Sequence, residues 1–277
     1  TVTGAMALAA YLALFFAAWG LLAAWTTRPL VTLPAAWTLL EFLRNVLLSG
    51  FGWNLLAHTQ WNRLPLIQIA DWIGAHGVSF LVVMVNVALF LLVEAGSAGE
   101  GPAAGAARRR AALRALTLTT LCVAGVIAYG TARIRQIDAS PAAPALRVAA
   151  VQGNIPQTLK WDPSHVEEIW LKHEALTRAA AAQDPGLIVW PETAVPGFLE
   201  EADVAERVQQ AARDSGTFLL AGAPTDRGAL FNSAVLLTPD GTELRRYDKI
   251  HLVPFGEFIP MKFFFGWLEN VVPIGDF

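Results

Sequence analysis

Gly4 to Trp25 reads GAMALAAYLALFFAAWGLLAAW, an apolar run without one charged side chain. Its length matches the roughly 20 residues that an α-helix needs to cross the hydrocarbon core of a bilayer. The run predicts a transmembrane helix and not a secretory leader. A leader carries a basic segment ahead of a shorter apolar core, whereas this chain opens on Thr1-Val2-Thr3. That opening reads as a cut, not as a biological terminus.

Working outward from this run, three further candidates follow: Leu30 to Leu48, Leu64 to Val93 and Leu113 to Tyr129. The expectation is therefore about four spans within residues 1–135. Glu41, Arg44 and Asn45 interrupt the second run, and Asp71, His76 and Asn86 the third. Ionisable groups are costly in lipid, so these are expected to face the bundle interior or a wet cavity. Glu41 and Arg44 stand three apart and are expected to pair on one helix face, with a path for lipid headgroups as the alternative. Trp53, Trp61 and Trp72, close to Gly50, Gly52 and His58, read as an interfacial belt.

Composition agrees with a membrane portion: of 277 residues, 55% are hydrophobic and only 16% charged, and the mean hydropathy is +0.45. A net charge of −3 offers no basic footprint for nucleic acid. The one cysteine, Cys122, excludes an internal disulfide framework and a multi-cysteine metal site, and it reads as a small buried hydrophobe within a span.

Basic residues set the orientation. Arg28 follows the first span, and Arg108, Arg109, Arg110 and Arg114 precede the fourth, in what reads as a flexible loop beginning with the Gly/Ala segment Ala95 to Ala107. Both places belong on the cytoplasmic side. The fourth span then runs outward and carries everything after Tyr129 to the extracytoplasmic face. Arg63 and the pair Arg133 and Arg135 are mild dissent. Ser140 to Pro144 reads as a linker.

From Leu146 the texture changes. Leu146 to Gln152 predicts a strand, Ser164 to Ala182 a helix with Ser164 as its N-cap, and Leu187 to Trp190 (LIVW) a second strand. Ala202 to Arg213 predicts a helix, Thr217 to Ala221 a strand, and Ser233 to Thr238 with Thr242 to Tyr247 a hairpin around Pro239-Asp240-Gly241. Strand and helix alternate, so residues 146–277 form an α/β domain.

Chemistry in such sheets collects beyond the carboxyl ends of strands. Glu192 emerges there, after LIVW, where burial would raise a carboxyl group toward proton transfer near neutrality. Tyr247 to Pro260, YDKIHLVPFGEFIP, fits neither helix nor strand and reads as an ordered functional loop. Its Lys249, held near Glu192, could orient the carboxylate and donate to a developing oxyanion. The residues alone supply no nucleophile.

Four segments carry a resemblance: FLRNVLLSGFGW (Phe42 to Trp53), VQGNIPQTLKW (Val151 to Trp161), VWPETAVP (Val189 to Pro196) and YDKIHLVPFGEFIP. Together they make the chain similar, over essentially its whole length, to the apolipoprotein N-acyltransferase family, the membrane-bound branch of the nitrilase superfamily. The resemblance implies a nitrilase-like αββα sandwich on a larger helical bundle in the bacterial inner membrane, facing the periplasm. It implies a Glu-Lys-Cys triad that carries an acyl chain from phospholipid, through a cysteine thioester, to the amine of a diacylated apolipoprotein, without metal or soluble cofactor. By position, Glu192 matches the general base and Lys249 the oxyanion-stabilising lysine. Glu257 matches a supporting acid, and Trp161 a tryptophan on a mobile arm that contacts lipid. The family's cysteine lies downstream of the lysine loop and is absent from these residues. The chain is accordingly expected to be a truncated, internal piece that does not turn over as given.

Other readings stay open on residues alone. A membrane-anchored amidase of the same superfamily would use the same Glu and Lys on water, although a simple anchor needs one span. A non-catalytic scaffold would explain the absent cysteine, and a transporter would explain Asp71, His76 and Asn86.

Overall fold

The computed structural model describes residues 2–47, 50–97, 102–141, 144–157, 159–254, 256–259, 263 and 266. The chain divides into two compact units, Thr1–Pro141 and Ala142–Phe277. The expected loop over 95–107 and the linker over 140–144 fall partly outside the described residues, at 98–101 and at 142–143.

The first unit is helical: α1 (Val2–Trp25), α2 (Pro29–Val46), a 3-10 turn (Leu56–Gln60), a short α3 (Leu64–Ile67), α4 (Ala70–Ser97) and α5 (Pro102–Asp138). Among the described residues, three helical stretches are long and apolar enough to cross a bilayer: Gly4–Trp25, Ala70–Gly96 and Ala103–Asp138. The count is one below expectation because α2, although helical, dilutes its apolar residues with Thr32, Thr38, Glu41, Arg44 and Asn45. The third candidate also divides: α3 is separate, and α4 is broken at Gly74, whose φ is 63°. The last part of the Gly/Ala segment and the arginines are no loop, since Pro102 onward is already α5 and the basic cluster occupies its first turns. Alanine-rich sequence with arginine is good helix former, and that propensity outweighs the isolated glycine.

The polar groups of the membrane half meet expectation in part. Glu41 and Arg44 are both buried, but they turn to the chain after α2 instead of to each other. Glu41 Oε1 accepts from Leu56 N at 2.9 Å, Arg44 Nη2 donates to Trp53 O at 3.2 Å, and Phe51 N donates to Arg44 O at 2.7 Å. His76 stands 3.9 Å from Glu41 Oε2 and 3.3 Å from Asn45 Nδ2. A backbone loop at membrane depth needs such internal partners. Asn86, expected inside, is exposed and satisfied by its own helix through Val82 O at 2.7 Å. Cys122, expected buried, is likewise exposed, because it lies on a face of α5 that no other described helix covers.

The second unit is a five-stranded sheet of order β1-β2-β3-β4-β5, made of β1 (Val148–Ala150), β2 (Leu187–Val189), β3 (Phe218–Asp226), β4 (Leu230–Leu237) and β5 (Glu243–Asp248). The first three strands run parallel, joined through α6 (Val166–Ala181) and α7 (Ala202–Ser215). The last two are antiparallel, as the Pro239-Asp240-Gly241 turn predicts, with Thr238 N donating to Thr242 O at 2.9 Å. Ile188, Leu219 and Val235 from three adjacent strands are fully buried in one core with Trp170 of α6 and Val208 and Ala212 of α7. Arg207 of α7 ties the helices together, at 2.6 Å from Glu167 and 2.7 Å from Glu174 of α6, with its guanidinium 5.0 Å above the Trp170 ring.

The start of α6 differs from expectation. Its N-cap position is His165, without a side-chain cap bond, and Asp162 caps the 3-10 turn before it, accepting from Ser164 N at 2.9 Å. A carboxylate is the stronger acceptor at a helix start, and Pro163 inserts a 3-10 turn before the α-helix begins. The unit is thus one sheet with helices packed on it. The described residues hold no second sheet.

Candidate active site

β2 ends at Val189, and the next residue seats the chain. Trp190 is buried, donates from its backbone to Leu220 O at 2.8 Å, and donates from its indole to Thr177 Oγ1 of α6 at 2.8 Å. Pinned on two sides, the chain crosses β3, where Ala194 N and Val195 N both donate to Gly222 O at 2.8 and 3.2 Å. The crossing is so close that a Cβ on Gly222 would lie 2.2 Å from Pro191 O and 2.7 Å from the Glu192 Cα. Only glycine fits there. Thr193 takes a left-handed φ of 47°, and the Glu192 side chain before it reaches Asn232 of β4.

Four side chains meet at that point. Glu192 Oε1 accepts from Lys249 Nζ at 2.9 Å and from Asn232 Nδ2 at 2.5 Å. Glu257 Oε1 accepts from the same two donors at 2.9 and 3.1 Å. Lys249 and Asn232 therefore each bridge both carboxylates. The two donors are themselves joined through the backbone, Lys249 N donating to Asn232 O at 2.8 Å. Glu257 Oε2 accepts from Val253 N at 2.8 Å, which folds the lysine loop back on itself.

The two carboxylates differ in access. The Glu257 side chain is 15% exposed and the Glu192 side chain 61%. The expected burial of Glu192 is thus absent, because the chain leaves the sheet at this residue and nothing described covers it. Burial works to raise the Glu257 carboxyl group, but hydrogen bonds from Lys249, the Val253 N–H and Asn232 overcome it and hold the group below its ordinary range. Partial burial disfavours the Lys249 ammonium, yet its bonds to Glu257 and Glu192 prevail and hold it above the ordinary lysine value. The site keeps one fixed cation between an anchored anion and an accessible one.

A second amine stands behind the first carboxylate. Lys160 Nζ donates to Glu192 O at 3.0 Å and to Thr193 Oγ1. Burial lowers the Lys160 ammonium from its ordinary value, against the opposing pull of Glu192. Trp161 beside it is half-exposed, with its ring 5.9 Å from Lys160 Nζ, and it makes no described contact with the four-residue cluster. Of the residues singled out in the sequence, Glu192, Lys249 and Glu257 are brought together and Trp161 stands off.

Sequence reasoning missed Asn232 and Lys160. Asn232 has a signal: asparagine is depleted in strands, and this one sits in FNSAVLL opposite Pro224 of β3. Lys160 lies inside QTLKW and was outweighed by its aromatic neighbour. Among the described residues no group of three or more His, Cys, Asp or Glu side chains is placed to hold a metal ion.

Residues 1–88 match the family model for the apolipoprotein N-acyltransferase N-terminal domain, and residues 147–266 that for carbon-nitrogen hydrolase. Proteins named apolipoprotein N-acyltransferase from Geobacter metallireducens and Chromobacterium violaceum are 42% and 34% identical. The matches cover 90% and 87% of this chain and 47% and 44% of the relatives. The chain therefore spans about half the length of the curated relatives it matches. Among solved structures, an amidase from Nesterenkonia sp. aligns over 39% of this chain and 44% of its own, at 24% identity and a TM-score of 0.32.

Proposed function

The chain belongs to the apolipoprotein N-acyltransferase family of the nitrilase superfamily, and from that membership we propose that its second unit supplies the base and the cation of an acyl transfer to lipoprotein. Lys249 Nζ, bridging Glu192 and Glu257 at 2.9 Å each, is the observation that carries the reading. In it, Glu192 takes the proton of a cysteine thiol as sulfur attacks a phospholipid ester carbonyl. Lys249 donates to the oxyanion that forms. The lysophospholipid leaves with the proton from Glu192, and a thioester remains. The amine of a diacylated lipoprotein then attacks the thioester, Glu192 accepts its proton, and the thiolate leaves and is reprotonated.

The exposure of Glu192 suits a base that must meet two substrates in turn, and the anchored Glu257 suits a residue that only holds Lys249. The attacking cysteine is not taken to be Cys122, which lies within the long apolar helix α5. Several apolar helices support a membrane protein whose acyl donor is a bilayer lipid. We place it in the inner membrane with the Glu192 unit on the periplasmic side, and assign Trp161, exposed beside Lys160, to contact with the incoming acyl chain.

The test is transfer of labelled acyl groups from phosphatidylethanolamine to a diacylated lipopeptide by the full-length protein. Glu192→Gln and Lys249→Ala are each expected to reduce transfer by about 10²-fold or more. Release of label as free fatty acid, with none on the peptide amine, would favour an amidase-like hydrolase.

A further inference from the structure

The N-terminal end of α4 and the C-terminal end of α5 hold a second constellation. Asp71 Oδ2 accepts from Arg133 Nε at 2.8 Å, Arg133 Nη1 donates to Gln136 Oε1 at 3.1 Å, and the Trp72 indole donates to Tyr129 OH at 2.6 Å. These residues, with Ala132, line a cleft of about 610 Å³, within the range of small-ligand sites. From this geometry we infer that the cleft is a binding site for the headgroup of a zwitterionic phospholipid.

Three observations carry the inference. First, Asp71 and Trp72 open one candidate span, whereas Tyr129, Arg133 and Gln136 close another, so the cleft lies at the level where Trp and Tyr meet lipid headgroups. Second, the ion pair is not saturated. In the described residues Asp71 uses only Oδ2, and Arg133 Nη2 has no acceptor. One guanidinium nitrogen and one carboxylate oxygen thus remain without a partner on two side chains that line the same cleft. A phosphate suits the guanidinium, and an ammonium suits the carboxylate oxygen and the exposed Trp72 face. The site carries no net charge, which favours a zwitterion over an anionic lipid. Third, its floor is rigid: a Cβ on Gly130 would lie 1.7 Å from Pro65 O, so α3 is pressed on α5 beside Tyr129. A simple latch between the two helices requires neither the cleft nor the unused bonding positions.

This site lies wholly in the first unit and stands apart from the acyl-transfer reading. It is tested by native mass spectrometry of the full-length protein taken from vesicles with equal amounts of phosphatidylethanolamine and phosphatidylglycerol. The wild type is expected to retain phosphatidylethanolamine in preference by about tenfold. Arg133→Lys keeps the charge and the pairing to Asp71 but removes the free fork nitrogen. It is expected to bring the ratio close to one while the melting temperature holds, and Asp71→Asn to do the same. Equal retention of both lipids by the wild type overturns the proposal, and so does a preference that persists in Arg133→Lys. Should Asp71→Asn fail to fold, the Arg133→Lys result alone decides.

Discussion

Asn232 is the residue on which the geometry of the cluster turns. Its side-chain amide donates to both Glu192 and Glu257, while its backbone carbonyl holds the Lys249 backbone, so one residue fixes the separation of base and cation. Asn232→Ala is expected to lower kcat by about 10²-fold through misplacement of Glu192, with substrate KM little changed. A proportional rise in KM instead would mark Asn232 as a substrate contact. Glu257 sets the acid limit of the unit. Because its carboxyl group is held below the ordinary value, its contribution to stability is complete above an unfolded pKa of about 4.3 and is lost as pH falls through the lower folded value. Lys249 is the mirror case: its contribution is complete below an unfolded pKa of about 10.4 and is lost as pH rises through its higher folded value. Thermal melts from pH 7 to pH 3 are expected to fall more steeply for the wild type than for Glu257→Gln. Parallel curves would remove the anchoring role. Of this cluster, the two acids and the lysine were legible in their motifs. Asn232 was not, because its role depends on strand pairing that brings position 232 beside position 249.

At the scale of elements, the site exists because β2 hands its chain directly across β3. Gly222 is what allows the crossing. Gly222→Ala is expected to cost about 1–3 kcal/mol in chemical denaturation and to reduce transfer as well, since the displaced strand end carries Glu192. An unchanged denaturation midpoint would contradict the close approach. The strands and helices of this unit could be read from periodicity because each buries one face, and the hairpin because Pro-Asp-Gly admits few turns. The membrane unit was read less well. An apolar run reports length and composition but not where a helix breaks, and Gly74 divides one run while the Ala- and Arg-rich stretch from Pro102 belongs to α5. Glu41 and Arg44 show the same limit: their spacing suggested each other as partners, whereas the unpaired backbone of the loop after α2 had the stronger claim.

At the scale of the whole molecule, two family models fall on the two units, residues 1–88 and 147–266, which under the proposed function are a lipid-handling bundle and an acyl-transfer domain. The orientation inferred from the arginines is tested by Ser140→Cys in the full-length protein with every other cysteine replaced by serine. Label from a membrane-impermeant maleimide is expected on intact cells with permeabilised outer membranes; labelling only after lysis would place the Glu192 unit in the cytoplasm. The most direct measurement of the central claim is the intact mass of the full-length protein after incubation with phospholipid of known acyl chain. The account predicts an added acyl mass, removed by hydroxylamine, mapped to a cysteine other than Cys122, and absent from Glu192→Ala and Lys249→Ala. The same adduct in Glu192→Ala, or no adduct in a folded wild type that still transfers acyl groups, would contradict it.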